Sequence, residues 1–139
     1  MTPVLLSAIA ISFVLGVSVG LRTFTALAVL LFALHYRIAA AIVAVLALGE
    51  WIMDVMPNTP SRTAPVGLGA RLVSGAVVGW LTARAPGLVA GVLGALAGTY
   101  IGHDLRLKAI TRIGALPAAL TEDAIALGIA IVAVSRLTP

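Results

Sequence analysis

Apolar positions run along this chain in long blocks, without the alternation of a strand or the one-sided stripe of a soluble helix, and short polar breaks separate them. Blocks of this kind predict helices that are apolar all round. The first covers residues 3–33, with Ser12, Ser18, Arg22, Thr23 and Thr25 among its few polar positions. That is about thirty residues where roughly 20 span the hydrocarbon of a bilayer. Either this helix tilts or protrudes at its start, or it is interrupted at Gly16-Val17-Ser18-Val19-Gly20, where two glycines four apart weaken it. His35-Tyr36-Arg37 marks a turn, and residues 38–56 predict a second helix that Pro57, Pro60 and Pro65 forbid to continue. Residues 67–83 predict a third, Arg84-Ala85-Pro86-Gly87 a tight turn, and residues 88–103 a fourth whose glycines recur mostly every three or four positions, the spacing of close helix packing in lipid. Residues 104–116 form a charged connection with room for a short surface helix. Residues 117–134 predict the last span, opened by Pro117 or capped by Thr121.

The expected fold is therefore all-α, a single polytopic membrane domain over residues 1–139 with about five transmembrane helices. Composition agrees: 61% of the residues are hydrophobic and 10% charged, with a mean hydropathy of +1.16, beyond the range of soluble domains. No apolar block has the short core and small-residue cleavage site of a removable leader, so the first segment is expected to be retained. Absence of cysteine excludes disulfides, thiolate metal sites and a thiol nucleophile. The nine Lys/Arg stand near segment ends and not in a basic run, which points to lipid headgroups and excludes nucleic acid as a partner. With five spans the termini fall on opposite sides. The N-terminal side then carries Arg62, Arg71, Arg106, Lys108 and Arg112 against Arg37, Arg84 and Arg136, which favours a cytoplasmic N-terminus.

The polar residues left inside the blocks carry the candidate chemistry. Counting from the first turn puts Arg22 and Glu50 at about the same depth near mid-membrane, 16 to 18 Å from the turn at about 1.5 Å per residue, so the two are expected to pair. Asp54 and Arg71 are expected to pair across the proline-rich connection. Asp104 closes the fourth span and Glu122 and Asp123 open the fifth, so all five acids fall on the N-terminal side of the mid-plane. The functional expectation is an acidic vestibule lined by Glu50, Asp54, Asp104, Glu122 and Asp123, with Arg22 and Arg71 as its bases. The plainer alternative makes the last three acids interfacial, with Glu122 and Asp123 favouring a helix N-terminus. Arg62 and Arg106 are candidate phosphate or headgroup contacts. His103 beside Asp104 is weighed as a metal or proton-relay group against an ordinary interfacial histidine, and a divalent cation at the carboxylates is a further alternative; no other cofactor is expected. No Gly-x-Ser-x-Gly elbow, His-Glu-x-x-His or phosphate-binding glycine loop occurs, so the sequence gives no enzyme motif.

The residues Gly20-Leu21-Arg22-Thr23-Phe24, Glu50-x3-Asp54-x2-Pro57-x2-Pro60-x-Arg62-Thr63 and Glu122-Asp123-Ala124 resemble the pattern of a bacterial family of small multi-spanning membrane proteins of unknown function. The resemblance covers most of the chain and implies that these positions belong together, without implying a mechanism. The motifs of small fluoride channels and small multidrug exporters are absent. The leading expectation is a small transporter or channel for a polar or ionic solute. The alternatives are an enzyme or flippase acting on a lipid headgroup and a structural or assembly subunit. Membrane lipids are the expected surroundings, and the glycine ridges of the third and fourth spans suggest a homo-oligomer, most simply a dimer.

Overall fold

The computed structural model describes residues 1–56, 61 and 63–137; Pro57, Pro60 and Arg62, singled out above, lie outside the described residues. The described chain is all-α, with five helices: α1 (Pro3–Leu21), α2 (Thr25–Ala33), α3 (Arg37–Met53), α4 (Pro65–Ile113) and α5 (Ala115–Ser135). Three of them, α1, α4 and α5, are long and apolar enough to cross a membrane, and the 49 residues of α4 suffice for two passes.

α4 is a hairpin. At Ala83 and Arg84 the backbone leaves the helical region, Arg84 with φ 55°, and the arms 65–82 and 85–113 fold back on one another. The turn falls where Arg84-Ala85-Pro86-Gly87 predicts it. Pro86 sits in the first turn of the second arm, where its missing N–H leaves no helical bond unmade. The Arg84 guanidinium lies over the Trp80 ring, 5.7 Å from its centroid, and anchors the bend. Glycine makes the close approach: a Cβ on Gly79 would collide with the Gly87 carbonyl, and one on Gly91 with the Gly75 carbonyl.

The second arm packs on α1 in the same way, with Gly16 against Gly91, Gly94 against Phe13 and Gly98 against Val17. Gly94 and Gly98 meet Phe13 and Val17 in the same order, as Gly16 and Gly20 meet Gly91 and Ala95, so the two helices run parallel. Gly16 and Gly20 therefore do not interrupt α1. They are its contact points, and the helix continues to Leu21. The glycine ridges that the sequence offered to a second copy are spent inside the protomer, which removes that argument for a dimer. In lipid, where burial of apolar surface gives no drive, this dispersion contact between closely spaced backbones is the main packing term.

α5 runs antiparallel to α1, since Ser18 Oγ donates to the Ala126 carbonyl at 2.7 Å while Arg22 meets Asp123. Pro3 at the start of α1 and Ser135 at the end of α5 thus lie at the end of the bundle that carries Arg84, and not at opposite ends. The physical reason is the interruption at Arg22, where the backbone becomes extended (φ −141°, ψ 115°) and the chain turns back. α2 descends beside α5, with Ala26 and Leu30 joining Ala130, Ala133 and Val134 in one apolar core, and α3 returns along α2 after a turn with His35 at φ 66°. Two further expectations change. Residues 104–113 are no separate surface helix but the last turns of α4, and α5 starts at Ala115 after Gly114 (φ 89°), with Thr121 bonded back to Pro117 and not acting as a cap.

Candidate functional site

The interruption between α1 and α2 is where the charged side chains meet. Nothing at positions 22–24 breaks a helix by itself, since no glycine or proline is present. What breaks it is the carboxylate of Glu50. The N-terminus of α2 has no side-chain cap of its own, and the donors just ahead of it are met from α3. Thr23 N–H (3.0 Å) and Thr23 Oγ (2.8 Å) donate to Glu50 Oε1, and Phe24 N–H to Oε2 (3.3 Å). An anion at a helix N-terminus also gains from the macrodipole, so Glu50 serves α2 as a cap supplied in space instead of in sequence. Trp51 Nε1 adds a bond to Thr25 Oγ1 at 3.3 Å.

Arg22 ends α1 and points into the bundle with 1% of its side chain exposed. Its Nη1 pairs with Asp54 and its Nε with Asp123, while Nη2 stands 4.0 Å from Glu122. Arg106 closes the cluster from the second arm of α4. Its Nη1 meets Asp54 and, at 3.2 Å, Glu122, and its Nη2 donates to the Asp54 carbonyl at 3.2 Å. Asp54 caps the C-terminus of α3, where the helix dipole disfavours an anion, and two guanidinium groups offset that penalty. Arg71, from the first arm of α4, lies 3.8 Å from Glu50.

Of the expected site residues, Arg22, Glu50, Asp54, Arg71, Glu122 and Asp123 come together, but Arg22 pairs with Asp54 and Asp123 and not with Glu50. The depth count set Glu50 at the right level, beside Thr23 and Phe24, but placed that level near mid-membrane, whereas Arg22 lies where α1 ends. Arg22 stands about 28 Å along α1 from Pro3 and belongs to one end of the bundle. Asp104 stays outside: it is exposed and makes no ion pair among the described residues. His103, half-buried, takes no part either. Arg106 enters the centre instead of facing headgroups. Its position was signalled by spacing, since Gly98, Gly102 and Arg106 follow one another every four residues on the packed face of α4. Among the described residues no group of three metal-ligating side chains forms, and guanidinium groups stand where a cation would. A cavity of about 150 Å³, bounded by Leu21, Gly102, Arg106, Thr121 and Glu122, reaches the edge of the cluster.

Fold and site together define a small all-α bundle of membrane-spanning character with a buried arginine and carboxylate centre. No family model, curated protein or solved structure matches the chain.

Proposed function

We propose that this chain is a small multi-pass membrane transporter or channel for a polar or ionic solute, with the cluster around Arg22 as its binding centre. One observation carries the reading. The sequence has nine Lys/Arg and five Asp/Glu, fourteen in all, and seven of them (Arg22, Arg71, Arg106, Glu50, Asp54, Glu122, Asp123) gather at one point reached by α1, α3, α4 and α5. Ionisable groups buried among apolar helices are costly to insert, so their concentration at one locus favours a binding role. The interrupted α1 and α2 pair supports it, because unwound backbone next to carboxylates is a recurrent solute site in transporters. Of the residues that carry the family resemblance, Arg22, Glu50, Asp54, Glu122 and Asp123 are among those that meet there.

A second reading has its own support: the charges neutralise one another, as in a clasp that only holds helices together. Flux separates the two. In proteoliposomes assayed for potassium, chloride and proton movement with ion-sensitive dyes, the transport reading expects Glu50→Gln to change the flux of the solute carried. A folded Glu50→Gln protein that matches the wild type for every solute moved would leave the clasp.

A further inference from the structure

α3 is the loosest helix of the bundle. It packs chiefly on α2, and of its 17 residues only Ala40 and Ala47 are buried. Polar contacts hold its C-terminal end to the cluster through Glu50, Trp51 and Asp54. Below them, between α3 and α5, lies an elongated cavity of about 940 Å³. Val29 and Phe32 of α2, Ala44 and Leu48 of α3 and Ile131 of α5 make its walls apolar. Among the described residues Arg37 is the single ionisable one on those walls.

Arg37 opens α3, and Trp51 stands fourteen positions later, so the groove runs about 21 Å along the helix, enough for the hydrocarbon of one leaflet, which is half of about 30 Å. The Arg37 side chain is exposed and makes no hydrogen bond or ion pair among the described residues. The first turn of α3 also has no side-chain cap. A cation at an uncapped helix N-terminus is disfavoured by the dipole unless an anion joins it.

We infer that this groove holds one acyl chain of an anionic phospholipid, with the headgroup phosphate on the Arg37 guanidinium. Charge complementarity selects this occupant. Glu50, Asp54, Glu122 and Asp123 are committed at the opposite end of the bundle, and Asp104 lies beyond Gly102 at that same end. A second copy lying parallel in the bilayer would therefore bring Arg37 no Asp or Glu side chain. An anionic lipid brings both the apolar chain and the charge, as in basic lipid sites between membrane helices. The inference does not depend on what the cluster carries.

The test is native mass spectrometry of the delipidated protein titrated with phosphatidylglycerol and with phosphatidylcholine of the same chains. One phosphatidylglycerol should bind about fivefold more tightly than phosphatidylcholine, the preference expected of one basic contact. Arg37→Gln, an exposed change expected to leave the melting midpoint unmoved, should remove the preference while leaving chain binding. Ala44→Leu, which narrows the groove, should weaken both lipids alike. Equal binding of the two lipids by the wild type, or a preference that survives Arg37→Gln, would overturn the assignment. So would a dimer that Ala44→Leu dissociates, which would put a second copy in the groove.

Discussion

Replacing Arg22 with methionine removes the one base that ion-pairs with Asp123 among the described residues. Asp54 and Glu122 keep Arg106, so the penalty falls mainly on Asp123, left with a buried charge and no counter-ion. Breaking a buried pair from one side costs about 3 to 5 kcal/mol. Asp123→Asn should be milder, about 1.5 to 3 kcal/mol for one charged hydrogen bond, because Arg22 retains Asp54 and Glu122. In the double variant no charge at position 123 is left to strand, so Arg22→Met should cost about 2 kcal/mol less in the Asp123→Asn background than in the wild type. That coupling lies within the range of contacting residues. Melting in detergent, followed by circular dichroism at a fixed scan rate, should show Arg22→Met lowered by about 10 to 20 °C and the double variant well above the sum of the singles. Shifts additive to within about 0.5 kcal/mol would refute the contact and with it the geometry of the cluster.

Glycine substitutions should divide by position. Gly79→Ala drives a methyl into the Gly87 backbone and should cost about 2 to 3 kcal/mol, whereas Gly128→Ala meets nothing and should be neutral or gain up to about 1 kcal/mol; melting midpoints of the two variants check this. Tags on the two termini should show the same accessibility to an impermeant reagent in intact cells or oriented vesicles, and opposite accessibility would contradict the reversal at Arg22.

Much of the architecture was legible in one dimension because it rests on local chemistry. Apolar blocks longer than a soluble helix needs, with proline and polar residues between them, gave the helices, and the turn at Arg84 was read from Pro86 and Gly87. Glycines every three or four residues announced close packing, and the few ionisable residues in apolar surroundings announced where charges meet. What the chain order could not carry was direction. The reversal after Leu21 has no glycine or proline to mark it; Glu50, 27 positions beyond Thr23, holds it by accepting from the N–H groups of Thr23 and Phe24 just ahead of α2. Counting from the first turn therefore set Glu50 at the level of Arg22 but could not tell which acids the guanidinium meets, and taking the first block as a single crossing sent the termini to opposite sides. The same limit applied to the glycine ridges. Periodicity shows that a helix face is smooth, but whether that face receives α1 or a second copy is set by where the interruption lets α1 end, and only the tertiary structure decides that.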